Sequence, residues 1–425
     1  MHLPTMLQWV RTDGHRLDSA LRHRLFDMHR APRWLPCWFH PAWHWLTGRL
    51  VRIPVIMAVD EQQAQVVRTC RQARGQVVHQ LEHLNLVTAR MRGTALQKVC
   101  REPGVRRVWL DREVHALLDV AVPATHDLKA ADRFTGVGVT IAIIDTGIYP
   151  HPDLKGRIVA FQDFVGKRTK PYDDNGHGTH VAGCAAGDGG SSIGLYRGPA
   201  PAAKLVGVKV LNKIGSGTTS AILAAINWVI ANRETYGIRI LSMSLGGQAQ
   251  GGHESDPLCQ AVARAWQAGI VCTIAAGNEG PGTGTISTPG IAPQVITVGA
   301  MDDLGTADRA DDQIAAFSSR GPTPDGLHKP DLLAPGVNIT SLRSPKSYLD
   351  KNESSAREGQ WYFTLSGTSM ATPIVAGICA QLLEAEPRLT PDQVKARLMR
   401  SAENRGLSID EQGSGYVDVD RALGL

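Results

Sequence analysis

Three short segments, far apart in the chain, each carry one side chain suited to acyl transfer. They are Ile143-Ile144-Asp145-Thr146-Gly147, Asp174-Asn175-Gly176-His177-Gly178-Thr179-His180 and Ser366-Gly367-Thr368-Ser369-Met370-Ala371-Thr372-Pro373. A hydroxyl is a weak nucleophile until a base takes its proton, and an imidazole is the natural acceptor near neutral pH. A carboxylate can fix the imidazole tautomer and stabilise the imidazolium that forms. Asp145, His177 and Ser369 are therefore the expected acid, base and nucleophile. Between the last two lies Ala275-Ala276-Gly277-Asn278, whose Asn278 amide could join the Ser369 N–H in stabilising an oxyanion. Taken singly, a strand-end Asp can cap a turn and a Gly-Asn pair is commonly a turn. Their occurrence together and in this order favours the chemical reading.

Other chemistries fit less well. His177 and His180 are spaced i, i+3, whereas a zinc-protease helix places His at i and i+4 around a Glu; His180 is expected to be a packed or hydrogen-bonded helix residue. The run Gly367–Ala371 resembles a nucleophile elbow, but that fold needs Gly-x-Ser-x-Gly after a strand and a nucleophile that comes first. Asp145-Thr146-Gly147 mimics an aspartic-protease signature, yet such enzymes share a proton between two carboxylates and no second Asp-Thr-Gly or Asp-Ser-Gly exists. A catalytically silent binding protein would have lost one of the four groups, and all four are present.

The elements that must position these groups can be read from Gly136 onward. Val139–Ile144, Leu205–Val210, Ile238–Met243 and Ile270–Ala275 are short apolar runs of the kind buried on both faces of a parallel sheet. Helices are expected over Thr218–Arg233, Pro257–Gln267 and from Thr390-Pro391 to about Ser401. Alternating strands and helices predict an α/β fold with a doubly wound, mainly parallel sheet. Asp145 then ends a strand at its carboxyl edge, where such sheets place ligand sites. Ser369 falls in the first turn of a helix, with Pro373 close behind.

The front of the chain differs. Val51–Asp60, Leu86–Met91 and Val105–Asp111 read as strands, Ala64–Glu82 and Ala95–Glu102 as helices. Three domains are expected: an amphipathic extension over 1–50, containing Trp34, Trp38, Trp43 and Trp45, a small α+β unit over 51–118, and a large domain over 119–425. The tryptophans read more readily as local packing than as a membrane-surface patch. Residues 1–118 carry 18 Lys+Arg against 9 Asp+Glu, and the remainder 27 against 31. Surfaces of opposite sign that dock on one another explain this better than a nucleic-acid arm, so no nucleic-acid partner is expected. Charged residues break every candidate leader, no run reaches the ~18 apolar residues of a membrane span, and the seven cysteines are odd in number and form no C-x-x-C pair. A cytoplasmic location is the expectation.

The segments around Asp145, His177, Asn278 and Ser369 resemble the subtilisin-like serine peptidases (subtilases). Subtilisin is itself the standard example of this acid–base–nucleophile order and of an Asn oxyanion donor. Phe317–Pro322 and Lys329–Gly336 are also typical of that family, and the likeness runs from about Ala130 to the C-terminus. Gly147–Leu154 and Tyr172–Asn175 resemble the AprX-type intracellular members. The resemblance implies a self-processing serine endopeptidase acting on peptides or proteins. Gly215, Ser216 and Gly217 would flank an extended substrate on one side, Ser244, Leu245 and Gly246 on the other. Ala275, Ala276 and Gly277 with Ser287–Gly290 would line a pocket for an apolar P1 side chain. The α+β unit would be a ferredoxin-like chaperone and inhibitor whose tail, near His115–Asp119, lies in the active site. The chemistry needs no cofactor. Several subtilases hold a structural calcium in the loop corresponding to Gly187–Gly198, and calcium is an open option, although this loop offers Asp188, Ser191 and Ser192 but no Asn.

Overall fold

The computed structural model describes Trp9, residues 16–18, 21–22 and 24–25, then 51–60, 63–111, 113–116, 121–122, Ala130, 133–304 and 309–425. Trp34, Trp38, Trp43, Trp45 and Cys37 lie outside these residues. The chain divides into two compact units, Met1–Arg112 and Glu113–Leu425.

The first unit follows the order β1 (Arg52–Val59), α1 (Gln63–Gln72), β2 (Gln76–Leu81), β3 (Leu86–Arg92), α2 (Gly93–Cys100), β4 (Val105–Leu110). Its antiparallel sheet runs β2-β3-β1-β4, the βαββαβ ferredoxin-like arrangement. Ile53, Val55, Met57 and Val59 alternate along β1 into one apolar core with Val66, Val67 and Cys70 of α1 and Leu96, Val99 and Cys100 of α2. Trp9, Leu17, Leu21 and Leu25 enter the same core, and Arg16 fastens this stretch by donating to the carbonyls of Cys100, Glu102 and Val105.

One expected helix is corrected. The stretch 64–82 is helical only to Gln72, because Arg74 takes a left-handed φ of 58° and Gly75 N–H turns back to Cys70 O at 2.8 Å. Beyond it, Gln76–Leu81 forms edge strand β2 with alternating exposure. Apolar residues on one helical stripe and on one strand face are hard to separate over so few positions.

The second unit begins with β5 (Glu113–Ala116) and holds an eight-stranded sheet. Its strands are β6 (Thr140–Asp145), β7 (Ile158–Asp163), β8 (Lys204–Lys209), β10 (Ile238–Met243), β12 (Val271–Ala275), β13 (Ile296–Asp302), β14 (Leu332–Pro335) and the short Gln313–Ile314. The order is Gln313–Ile314, β13, β12, β10, β6, β8, β7, with β14 also on β13. All pairs are parallel except the one made by Gln313–Ile314. The helices of ten or more residues are α3 (His177–Ala186), α4 (Thr219–Tyr236), α5 (Pro257–Gln267), α6 (Thr368–Ala385) and α7 (Pro391–Ser401). The fold is therefore the doubly wound, mainly parallel α/β class expected. β6 is buried at every position, as a strand in the middle of such a sheet must be. Thr390 and Gln393 form a reciprocal capping box at the start of α7, a device that contributes about 1 kcal/mol.

A second, antiparallel sheet lies at the carboxyl ends of these strands. It places β5 between β9 (Ser216–Thr218) and β11 (Leu245–Gln248), with Ser287–Thr288 beyond β11. Among the described residues no helix is long and apolar enough to cross a membrane.

Candidate active site

Asp145 is the last residue of β6 and is fully buried. Its Oδ1 accepts from the Thr146 N–H at 2.7 Å and lies 2.8 Å from His177 Nδ1. With an ionised carboxylate as acceptor, Nδ1 must carry the proton, which leaves Nε2 with the lone pair a base requires. His177 opens α3, and its own N–H is held by Asn175 Oδ1 at 3.1 Å. The close approach depends on glycine at two positions. A Cβ on Gly178 would stand 2.2 Å from Gly147 O and 3.1 Å from Asp145 Cβ. Gly147 has φ +118°, and a Cβ there would meet Tyr172 O at 2.2 Å.

Ser369 is the second residue of α6 and is buried. Its Oγ donates to Ser244 O at 3.2 Å, and Ser244 Oγ donates to Ser369 O at 2.7 Å. Ser244 directly follows β10, where Met243 stands beside Ile144 of β6. These bonds dock the start of α6 at the strand end next to Asp145. Pro373 belongs to this arrangement. It lies deeper in the helix than the first turn, and having no N–H it leaves the carbonyl four residues back, that of Ser369, without its helical donor. The Ser244 hydroxyl supplies that hydrogen bond instead.

Asn278 is oriented through its oxygen. Oδ1 accepts from Thr368 N and Thr368 Oγ1, both at 3.0 Å, while buried Nδ2 has no hydrogen-bond partner among the described residues. Gly277 N–H donates to Thr368 Oγ1 at 3.2 Å. One threonine thus couples the strand-end turn to the start of α6.

Ser216 and Gly217 of β9 pair with His115 and Val114, and Leu245 and Gly246 of β11 pair with Ala116 and His115. Gly215 forms the turn into β9. Ala275 ends β12, and buried Ala276 and Gly277 connect to the Ser287 strand through Ser287 N–H to Ala276 O at 2.8 Å.

Several positioning residues escaped sequence reasoning. Buried Asp173 accepts from Thr146 Oγ1 at 2.9 Å, Asn175 N at 3.1 Å, Gly176 N at 2.9 Å, and Thr179 N and Oγ1 at 2.9 and 2.7 Å. It thereby ties the acid's turn to the start of the histidine's helix. Lys209, at the end of β8 beside Asp145, is buried and donates to Thr146 O at 2.5 Å, Asp174 Oδ1 at 2.7 Å and Leu211 O at 2.9 Å. A lysine ending an apolar strand was the available signal, since a buried ammonium must have partners.

His180 is a packed helix residue. Its Nε2 donates to Ile339 O and Phe363 O, each at 3.0 Å, and its Nδ1 lies 3.5 Å from Cys184 Sγ. Among the described residues no three His, Cys, Asp or Glu side chains gather as a metal-ligand set. Burial, with the neighbouring His177 charge second, lowers the His180 pKa to about 3 against the two carbonyl bonds that raise it. The ring stays neutral in the fold while the unfolded chain takes up a proton near pH 6.5. Stability is therefore complete above that value and declines as pH falls from about 6.5 towards 3, by roughly 1.4 kcal/mol per pH unit. Thermal unfolding of a Ser369→Ala chain between pH 7 and 4 should show this slope, and adding His180→Gln should flatten it.

The chain as a whole is similar to known proteins. Residues 136–417 match the family model described as "Subtilase family". The chain belongs to the subtilases. It is 47% identical to the serine protease AprX of Bacillus subtilis (strain 168), over 99% of this chain and 98% of that protein. It is also 36% identical to subtilisin E of the same organism, over 82% and 83% of the two chains. Among solved structures it resembles fervidolysin of Fervidobacterium pennivorans, a keratinolytic enzyme related to subtilisin, with a TM-score of 0.70 at 22% identity. That match covers 88% of this chain and 61% of the other, and it speaks for the fold. This subtilase is a serine endopeptidase, and its substrates are peptides or proteins.

Proposed function

We propose that the enzyme is made as a self-processing zymogen, with Asp145, His177 and Ser369 as its catalytic triad. Ser369 Oγ attacks the scissile carbonyl and passes its proton to His177 Nε2, while Asp145 holds the ring and stabilises the imidazolium. The acyl-enzyme is then hydrolysed by water activated through the same base. Asn278 Nδ2 and the Ser369 N–H stabilise the tetrahedral oxyanion. A buried amide donor without a partner costs about 1–3 kcal/mol, and that cost is relieved when the oxyanion forms. Asn278→Ala should lower kcat about 10²–10³-fold with little change in KM, the size known for this loss in subtilisin. Steady-state kinetics beside a melting curve separates that effect from misfolding.

The observation that carries the zymogen reading is the place of β5. The chain's own residues 113–116 form the middle strand between β9 and β11, as an extended peptide substrate would. Gly246 faces His115 and Leu245 faces Ala116, so Ser244, which is bonded to Ser369, is reached by counting one residue further, to Leu117. Leu117 is outside the described residues; we assign it as the P1 residue from this count, and Leu117–Leu118 as the processed bond. Ala275–Gly277 and Ser287–Gly290 contain no charged side chain, which suits an apolar P1. Residues before the cut would be the inhibitory prodomain, including the ferredoxin-like unit. N-terminal sequencing should find the mature enzyme starting at Leu118 and the Ser369→Ala chain uncut. A start many residues away, or processing of the Ser369→Ala chain in isolation, would overturn this reading.

A further inference from the structure

The family resemblance brings a structural calcium to the loop Gly187–Gly198, and the donor chemistry around that loop does not fit one. Calcium takes six to eight oxygens at about 2.3–2.6 Å. Here both oxygens of Asp153, which contacts the loop through Ser191, are already engaged by hydrogen-bond donors. Asp153 Oδ1 accepts from Ser191 N at 3.0 Å and Ser191 Oγ at 2.5 Å, and Oδ2 accepts from Tyr362 OH at 2.5 Å. Asp188 Oδ1 is engaged by Gly190 N at 2.8 Å.

The positive charge is supplied by the chain itself. Arg157 donates through Nη1 to Ala186 O at 2.6 Å and Ala203 O at 3.2 Å, and through Nη2 to Asp153 O. Its Nη2 lies 3.8 Å from Asp188 Oδ2. Ala186 ends α3 and Ala203 precedes β8, so one guanidinium gathers carbonyls from both ends of the segment 187–203 that contains the loop, and from Asp153. A planar fork of five donors is well shaped for such a task. A divalent ion entering the same carbonyls would face a fixed like charge.

The same device recurs on the other side of the sheet order. Buried Asp331 accepts from Lys329 Nζ at 2.5 Å and pairs with Lys395 Nζ at 2.9 Å. Lys329 also donates to Val295 O at 3.1 Å, and Lys395 to Val295 O at 2.8 Å and Pro293 O at 2.9 Å. A carboxylate and converging carbonyls form a hard-cation donor set, and two ammonium groups fill it.

We propose that internal side-chain cations do the cross-linking a structural calcium would do, with Arg157 holding the loop 187–198 and Lys329 and Lys395 holding residues 293–297. This departs from what the family resemblance implies and does not depend on the catalytic assignments. The test is amide hydrogen exchange on the full-length Ser369→Ala chain, with the absence of self-digestion checked by mass, followed in peptides spanning 187–198 and 293–297. Exchange in both should be the same in EDTA and in millimolar calcium. Arg157→Met should speed exchange of the first peptide at least about tenfold, and Lys395→Met should do so for the second. Protection in the parent's 187–198 peptide that falls about tenfold in EDTA and returns with calcium would overturn the proposal. So would unchanged exchange in both variants. The parent comparison needs no substitution at the cation sites, and it decides the matter even where a variant fails to fold.

Discussion

Replacing Ser369 by alanine is expected to lower kcat by about 10⁶-fold and to abolish self-processing, leaving a full-length chain with an intact fold. The magnitude is that known for loss of the nucleophile in subtilisin. The reason it should hold here lies in how little else changes. The Ser369 hydroxyl donates to Ser244 O, while the bond from the Ser244 hydroxyl to Ser369 O survives the substitution. The start of α6 therefore stays docked, and only the attacking oxygen is lost. Active-site concentration should be checked by titration, because a trace of parent enzyme would mask a loss this large.

Asp145→Asn carries the second largest expected effect, a fall in kcat of about 10⁴-fold with KM little changed. Asp145 Oδ1 accepts hydrogen bonds from both His177 Nδ1–H and the Thr146 N–H. An asparagine keeps the volume, yet its amide can present N–H towards Nδ1, which then becomes the acceptor and turns Nε2 into a donor. The base is lost with the tautomer. The imidazolium formed in the transition state also loses its neighbouring negative charge in a fully buried place, where water cannot compensate. A pH–rate profile of the variant checks this account, since a purely structural defect would scale the whole profile without weakening its histidine-dependent limb.

The juncture of Asp145 with His177 was legible because its surroundings are written locally. Glycines at 147 and 178 are demanded by close approach of one backbone to another, so the motif and the contact geometry are the same information. The four buried strands of the middle of the sheet were legible for a similar reason, as continuous Ile- and Val-rich runs. Edge strand β7 was not read, because its residues are mostly half-exposed and alternate poorly. The segment after Gln72 was misread because three turn residues, not a change in hydrophobicity, end α1.

What sequence reasoning could not reach is the polar scaffolding. Asp173, Lys209, Ser244 and Thr368 act through bonds to residues dozens to more than a hundred positions away. Ser244 and Thr368 lie in segments the sequence singles out and Lys209 ends an apolar run, but nothing in those neighbourhoods marks the bonds themselves, which are a property of the folded chain. Arg157 is hidden in the same way. Its carbonyl partners carry no side-chain signature, so a loop lacking Asn reads as missing a ligand when it has gained a cation instead.

The most direct measurement is labelling of the mature enzyme with a fluorophosphonate, mapped by peptide mass spectrometry and followed across pH. The account predicts one phosphonyl group per molecule, on Ser369, at a rate that rises with the deprotonation of His177 and is lost in Asp145→Asn. A label on any other residue, or peptide hydrolysis that persists in the Ser369→Ala protein, would contradict it.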